Sequence, residues 1–330
     1  MNYRYLGRTG LPLSEVSLGS WRTFGESISE ETADALMTMA YEAGVNFFDN
    51  AEVYMAGESE LVMGRILKVK GWRRDSWCVS SKVFWGGDEP TRKGLFRKHV
   101  IEACHQALER LQVDYLDLYF CHRPDLNTPI VETVAAMTDL VRQGKILYWG
   151  TSEWTARDIA LAHAAAAREN LVAPVMEQPQ YNLFTRERFE VDYSRLYDEV
   201  GLGTTVWSPL SRGELVGHYL EATDGRFKVS KDGERWLKDA GLPPGYEARV
   251  QKVAKFASLA RELDLSPARL ALAWVLKNPK VTTAILGASS TKHLEENLKA
   301  IDDVTLLTDE VMEQIETIFQ TAPTVEDVFR

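Results

Sequence analysis

Cysteine is scarce in this sequence, and the few cysteines are not paired. Cys78, Cys104 and Cys121 are the three cysteines among 330 residues, and wide intervals separate them. An odd number at such spacing predicts no disulfide framework, and the lack of a Cys-x-x-Cys pair excludes the common zinc and redox motifs. Cys104 lies on an apolar helical face, where we expect plain core packing. This cysteine usage fits a reducing environment, so we expect a cytoplasmic protein.

Long apolar runs and basic runs are also missing. The longest apolar stretches, such as 270–276, are too short to span a bilayer, and residues 1–10 lack the apolar segment of a secretory signal. We therefore expect neither membrane insertion nor a signal peptide. The formal net charge of -10 argues against nucleic acid as a partner. With 45% hydrophobic and 26% charged residues, the chain can bury a large globular core.

What the sequence does contain is a regular alternation of strand and helix signals. Between the first two strands, Ser27-Ile28-Ser29-Glu30 has the pattern of a capping box, and Gly44 can end the helix that follows. The predicted strands are 16–21, 45–49, 77–83, 115–122, 146–152, 175–180, 204–208 and 283–287. No Pro/Gly/Ser-rich linker divides the chain. The alternation therefore predicts one α/β domain over residues 1–330, a closed (β/α)₈ TIM barrel.

Two segments lie outside the eightfold rhythm. Residues 3–13, with Arg8-Thr9-Gly10 as the turn, predict an N-terminal β-hairpin that would close the barrel bottom. Residues 213–245 form an insertion after the seventh strand, either a cover over a site or an inert surface loop. A doubly wound sheet is the structural alternative. It is disfavoured because Gly-x-Gly-x-x-Gly is absent after the first strand, where Gly19-Ser20-Trp21 stands instead.

Polar side chains recur at the predicted strand ends, where barrel enzymes carry their chemistry. Asp49 by itself could be a helix cap, and His122 could be a hydrogen-bonded core histidine. A lone Lys82 at the end of an apolar strand is harder to dismiss, because an unpaired buried ammonium is costly. The strand-end residues are Asp49, Lys82, His122, Ser152, Gln178 and Ser208, and Tyr54 follows Asp49 in the next loop.

Four of these residues together describe one acid-base device. Tyr54 would donate a proton, and Lys82 beside it would lower its pKa from the ordinary value near 10. Asp49 would keep Lys82 charged, and His122 would orient a carbonyl oxygen or share the proton. The set predicts protonation of a carbonyl oxygen while a hydride reaches the carbonyl carbon.

The motifs around these residues resemble those of the aldo-keto reductase family. Three stretches resemble the family's motifs around its catalytic tetrad of Asp, Tyr, Lys and His: Phe48-Asp49-Asn50-Ala51-Glu52-Val53-Tyr54, Ser81-Lys82 and His122-Arg123-Pro124-Asp125. Three further stretches resemble the family's cofactor-binding motifs: Trp149-Gly150-Thr151-Ser152, Trp207-Ser208-Pro209-Leu210 and Gly287-Ala288-Ser289. Two stretches, 82–87 and 148–152, are most similar to the voltage-gated potassium channel beta subunits. The resemblance extends over about residues 3–319.

The resemblance implies an NADP-dependent reductase of aldehydes and ketones that needs no metal. Ser152 and Gln178 would hold the nicotinamide carboxamide, and Trp207 would stack on its ring. The implied cofactor-binding residues are Ser20, Trp21, Asp49, Ser152, Glu153, Gln178, Trp207, Ser208, Pro209, Leu210, Ser211, Arg212, Lys228, Gly287, Ser289, His293, Glu296 and Asn297. The substrate would meet Trp21, Tyr54, Trp85 and His122, with Trp154 as a further aromatic wall. The resemblance is also compatible with a homotetramer.

Three positions depart from the channel beta subunits. His122 stands where they carry asparagine, which favours a working enzyme over a channel accessory. His218 replaces a lysine and Glu153 an arginine, which weakens the case for NADP. Lys228, aligned with a basic residue, and His293 beside Ser289 still favour NADP over NAD.

Two other functions compete with the reductase hypothesis. One is a regulatory channel subunit that senses redox state through its cofactor. The other is a metal-dependent hydrolase, which needs clustered histidine and carboxylate ligands at strand ends. Only His122 of the six histidines lies at a strand end, which argues against a metal centre.

Overall fold

The computed structural model describes the backbone of residues 1–223, 226–229 and 246–324, and the side chains of these residues except 221–223, 226–229 and 246. The chain begins with an antiparallel hairpin of β1 (Tyr3–Tyr5) and β2 (Pro12–Ser14), in which Arg4 pairs with Leu13. The predicted N-terminal hairpin is thus confirmed.

Eight parallel strands form a closed barrel. In chain order they are β3 (Val16–Gly19), β4 (Phe47–Asp49), β5 (Cys78–Val83), β6 (Leu116–Cys121), β7 (Ile146–Ser152), β8 (Met176–Gln178), β9 (Gly203–Val206) and, after a hairpin of β10 (Leu220–Thr223) and β11 (Arg226–Val229), β12 (Thr283–Leu286). β12 pairs with both β9 and β3, which closes the ring. The TIM barrel prediction is confirmed, and its strand ends were placed within two residues.

Helices surround the barrel between successive strands. They are α1 (Glu30–Glu42), α2 (Glu58–Lys70), α3 (Arg97–Leu111), α4 (Ile130–Arg142), α5 (Ala156–Glu169), α6 (Ser194–Glu199), α7 (Tyr246–Glu262), α8 (Pro267–Lys277), α9 (Thr291–Asp303) and α10 (Asp309–Phe319). In α3, Val100, Cys104, Ala107 and Leu111 recur every three or four residues and are all buried, so this face points into the core and the packing expected for Cys104 is confirmed.

The capping box proposed for α1 begins two residues too early. The helix starts after Ser29, whose side chain accepts a hydrogen bond from the Thr32 amide. Ser27 is engaged elsewhere, because its hydroxyl donates to the Arg22 carbonyl at 2.7 Å. Gly44 follows the helix with a φ of 89°, the left-handed conformation expected for a helix-ending glycine.

The hairpin closes the N-terminal end of the barrel. Leu6 and Leu13 are buried against Phe47, Cys78 and Met176, which are the first residues of three barrel strands. Gly7 has a φ of 55°, and a Cβ there would lie 2.1 Å from the Gly201 carbonyl oxygen. Only glycine therefore permits this close approach of hairpin and barrel.

The predicted insertion after the seventh barrel strand is described in part. Residues Ser211–Val216 form a 3₁₀ turn, and β10 and β11 then form a two-stranded antiparallel sheet. Residues 224–225 and 230–245 lie outside the described part of the chain.

Candidate active site

A cavity of about 890 Å³ opens at the C-terminal ends of the barrel strands. Gly19, Asp49, Ser152 and Gln178, each the last residue of a strand, lie in its wall. The structure brings most of the predicted site residues to this one cavity. They are Trp21, Asp49, Tyr54, Trp85, His122, Ser152, Gln178, Trp207, Ser208, Pro209, Leu210, Arg212, Gly287, Ser289, His293, Glu296 and Asn297.

The Lys82 ammonium donates hydrogen bonds to three oxygen atoms behind the cavity wall. Its Nζ donates to Asp49 Oδ2 at 2.6 Å, to the Asn50 carbonyl at 2.7 Å and to the Tyr54 hydroxyl at 3.0 Å. Lys82 is completely buried, so these three acceptors replace the water that its charge would otherwise need. Ser80 holds the other Asp49 oxygen at 2.8 Å. The lysine and the carboxylate are therefore fixed relative to the phenol.

An unusual backbone follows Tyr54. Met55 and Ala56 have φ values of 48° and 52°, the left-handed region that residues with a side chain rarely adopt. Two such residues in succession cost on the order of 1–2 kcal/mol each. The surrounding structure therefore maintains this turn against its local preference, and the turn sets where the phenol enters the cavity.

The expected lowering of the Tyr54 pKa is wrong. Burial raises the pKa of Tyr54 above its ordinary value, and the Lys82 charge offsets only part of that effect. Burial also acts to lower the pKa of Lys82, but attraction to Asp49 and Tyr54 outweighs it and leaves the lysine pKa raised. At neutral pH the pair is thus an ammonium beside a protonated phenol, which is the state of a proton donor.

His122 faces Tyr54 across the cavity as a neutral imidazole. Its ring centroid lies 5.9 Å from that of Tyr54 and 5.1 Å from that of Trp85. Burial, followed by the charges of Lys82 and Arg123, holds the pKa of His122 well below its usual range. Its Nδ1 is buried without a hydrogen-bond partner in the described part of the chain. A neutral ring can present one nitrogen to a ligand oxygen as a donor.

Trp207 is fixed from behind by a carboxylate. Its indole Nε1 donates to Glu153 Oε1 at 2.9 Å, and the Gln180 amide donates to the same oxygen at 2.7 Å. The other oxygen, Oε2, pairs with Arg188 Nη1 at 2.5 Å. The two side-chain oxygens thus bridge a cavity wall residue and an ion-pair partner outside the cavity. Glu153 itself has a φ of 59°.

The far end of the cavity combines a tightly bent loop and a helix N-terminus. Ser208 and Arg212 have φ values of 52° and 56°, and the Ser208 hydroxyl accepts from the Arg212 amide at 2.8 Å. Ser290 caps α9 by accepting from the amide of His293, whose side chain lies 3.2 Å from the Ser289 hydroxyl. The free amides of a helix N-terminus favour an anionic ligand group.

Several predicted site residues lie outside the cavity wall. Lys82 is behind Tyr54, and Ser20 is buried with its hydroxyl on the Asp49 carbonyl at 3.1 Å. Ser211 is turned inward to Glu214 at 3.2 Å, and Glu153 lies behind Trp207. Trp154, predicted as an aromatic wall, is packed in the core with 2% exposure. The Lys228 side chain lies outside the described part, although its backbone belongs to β11.

Other cavity residues were not predicted. Arg123 belongs to a quoted motif but received no role, although its place just after a strand end was a usable signal. Apolar wall residues at strand ends look like ordinary core in a sequence, and no pattern separates the two. The unpredicted wall residues include Val53, Arg123, Val216, Ala268, Ile285 and Leu286.

Comparison with known proteins agrees with the barrel fold. The family model described as "Aldo/keto reductase family" matches residues 15–320. The chain belongs to this family. A protein of Oryza sativa subsp. japonica described as "Probable voltage-gated potassium channel subunit beta" is 44% identical over 333 residues, which cover 100% of both chains. This aldo/keto reductase is thus an oxidoreductase by family, with full-length similarity to a probable channel beta subunit.

Two structural features are absent from the described residues of this aldo/keto reductase. No group of three or more His, Cys, Asp or Glu side chains among the described residues is arranged to hold a metal ion. No helix within the described ranges has both the length and the apolar character that crossing a membrane requires.

Proposed function

We propose that this protein reduces aldehydes and ketones to alcohols with NADPH, and that Tyr54 is the proton donor. The observation that carries the proposal is the buried chain Asp49–Lys82–Tyr54, with contacts of 2.6 and 3.0 Å, which ends in a protonated phenol at the cavity wall. A general acid must lie within hydrogen-bond reach of the oxygen that it protonates. The cavity beside Tyr54 and His122 gives a carbonyl oxygen that position.

The cavity wall fits a nicotinamide dinucleotide. Gln178 donates both amide hydrogens inside the protein, to Asp49 at 3.1 Å and Thr205 at 3.2 Å, which leaves its Oε1 as an acceptor for a carboxamide. Trp207 offers an aromatic surface for a planar ring. The bent loop from Ser208 and the N-terminus of α9 suit phosphate groups at the other end. When bound, NADPH supplies the hydride.

The protein side of the reaction is a single proton transfer. As the carbonyl carbon accepts the hydride, the oxygen gains negative charge and takes the Tyr54 hydroxyl proton, which yields the alcohol. Lys82 at 3.0 Å stabilises the tyrosinate that remains. His122 donates a hydrogen bond to the same oxygen from the opposite side. A proton from water then restores the phenol.

The test is Tyr54→Phe in an assay of NADPH oxidation by aldehydes, ketones and quinones. The variant should lose about 10²–10⁴-fold in rate, the typical contribution of general acid catalysis. It should bind NADPH nearly as the native protein does in a fluorescence titration, because only the hydroxyl is removed. A rate loss below about tenfold would show that another group donates the proton.

A second candidate function is that of a channel-associated subunit. The observation favouring it is the 44% identity, over the full length, to a protein named as a probable potassium channel beta subunit. The same assay separates the two functions, because a native protein with negligible turnover on every carbonyl would favour the regulatory role. His122, which can hydrogen-bond a carbonyl oxygen, favours turnover.

A further inference from the structure

Arg123 lies at the end of the cavity where the proposed proton transfer takes place. It follows His122 directly, and its Nη1 donates to the His122 carbonyl at 2.5 Å and lies 3.4 Å from Ser152 Oγ. Its guanidinium carbon is 5.4 Å from the centre of the Trp85 ring. Arg123 and Trp85 are both in the cavity wall, beside Tyr54 and His122. A molecule that reaches Tyr54 therefore also comes close to this cation.

Arg123 differs from the other half-buried arginines of the described chain. Each of the others has a carboxylate within 4 Å, whereas Arg123 has none among the described residues. The paired arginines are Arg4, Arg65, Arg74, Arg110, Arg186, Arg188, Arg249 and Arg269. A guanidinium that loses water needs an anion or good acceptors to offset the cost.

Neither of the nearby acidic groups forms an ion pair with Arg123 among the described residues. Burial lowers the pKa of Arg123. Glu153 and Glu177 act on Arg123 through space and oppose that shift. Glu153 is in contact with Arg188 at 2.5 Å, and the Glu177 carboxylate accepts a hydrogen bond from Thr151. A guanidinium has five N–H donors, and here only Nη1 has hydrogen-bond partners among the described residues. Nε and Nη2 remain for a ligand.

We propose that Arg123 binds an anionic group of the substrate, so that the preferred substrates are short carbonyl compounds that carry a carboxylate. The planar guanidinium matches a carboxylate through two parallel hydrogen bonds, which gives both affinity and orientation. With the carboxylate on Arg123, the carbonyl a few atoms away meets Tyr54 and His122. The inference rests on the proposed function, because it specifies the substrate of that same site.

The cofactor phosphates are a poor explanation for this cation. The bent loop from Ser208 and the N-terminus of α9 form the part of the wall suited to phosphate. Arg123 instead contacts His122, Ser152 and Trp85, which lie at the proton-donor end. The anion that it meets there therefore comes from the substrate.

The experiment compares an aldehyde acid with its neutral ester. Succinic semialdehyde and its methyl ester differ by one charge at similar size, and kcat/KM is measured for both. We expect the native protein to prefer the acid by about ten- to a hundredfold, the range for a hydrogen bond between charged groups. In Arg123→Met the ratio should fall to about one, mainly through a higher KM for the acid. Arg123→Lys should restore part of it.

Controls separate failure of this inference from failure of the proposed function. Arg22, an exposed arginine 5.7 Å from the Trp21 ring at the same mouth, provides the matched variant Arg22→Met, which should keep the native ratio. If neither compound is reduced, the proposed function fails. If the native protein reduces the ester as well as the acid, the function stands and the role of Arg123 is overturned. Weaker NADPH binding in Arg123→Met, with an unchanged ratio, would assign Arg123 to the cofactor.

Discussion

At the N-terminal end of the barrel, Leu6 and Leu13 are buried among apolar side chains, whereas at the C-terminal end Asp49, Lys82 and His122 are buried around an open cavity. At the closed end, polar groups form ion pairs and hydrogen bonds that hold segments of the chain together. Arg4, for example, pairs with Glu15 at 2.7 Å and donates to three carbonyls at and beyond the end of α8. At the open end, burial shifts the pKa of Tyr54 and of His122. One end is thus built for stability and the other for chemistry.

Backbone strain follows the same division. The described non-glycine residues with left-handed φ fall into two groups. Gln112, Asn170, Asp264 and Gln320 end helices, where this conformation is common. The others lie in loops after barrel strands: Arg22, Met55, Ala56, Glu153, Ser208, Ser211 and Arg212. These loops surround the cavity. The strained residues are therefore concentrated where the cavity side chains are oriented, and not at the end of the barrel that the hairpin closes.

The largest effect should come from breaking the closed end. Leu13→Ala removes a completely buried side chain from the hairpin plug and should lower the free energy of unfolding by about 2–5 kcal/mol. Activity per folded molecule should not change, because the plug lies at the opposite end from the cavity. Urea unfolding and kcat/KM at a temperature where the variant is folded measure the two quantities.

The matched control is Leu126→Ala. Leu126 is 94% exposed, so the same truncation should change stability by no more than about 0.5 kcal/mol. Equal losses in the two variants, or a large loss of activity in Leu13→Ala, would mean that the two ends are not independent.

The second prediction concerns the stability cost of His122 at the open end. Its folded pKa lies well below the ordinary value of about 6.5, so the unfolded chain binds a proton that the folded chain does not. Lowering the pH below the ordinary histidine pKa of about 6.5 therefore favours unfolding, and raising the pH restores the stability. Between pH 7.5 and 5.5, this one group should cost the native protein about 1.4 kcal/mol.

His122→Asn removes that titration. The difference in unfolding free energy between the native protein and the variant should therefore shift by about that amount, in favour of the variant, when urea unfolding is compared at the two pH values. Contributions from the other ionisable groups are common to both proteins and cancel in the difference. A difference that stays constant with pH would show that His122 takes up a proton without unfolding.

The division between the two ends explains what the sequence could predict. The barrel follows from strand and helix signals that are local, and Asp49, Lys82 and His122 stand out together because each is a polar residue at the end of a predicted barrel strand. The direction of the Tyr54 pKa shift was missed because it depends on how far burial outweighs the charge of Lys82. Trp154 was misplaced because a sequence does not show which way an aromatic ring after a strand turns. The partners of Glu153 come from three separate segments, a through-space arrangement that no spacing reveals.

The smallest effect should come from Glu153, which holds Trp207 in the cavity wall without lining the cavity. Glu153→Leu removes the acceptor of the indole N–H, so the ring loses its anchor and should stack less well on a nicotinamide. We expect NADPH to bind about three- to tenfold more weakly, since one such hydrogen bond contributes about 0.5–1.5 kcal/mol. Glu153→Gln keeps an acceptor for the indole and should lose less affinity for NADPH.

The decisive measurement is the affinity for 2′-phospho-ADP-ribose, which has the phosphates and adenine of NADPH but no nicotinamide. Its binding should be the same in all three proteins, because we expect the effect of Glu153 on NADPH to pass through Trp207 and the nicotinamide. A parallel loss of both ligands would indicate that the variant disturbs the whole open end, and that the glutamate serves to support the loops rather than to position the tryptophan.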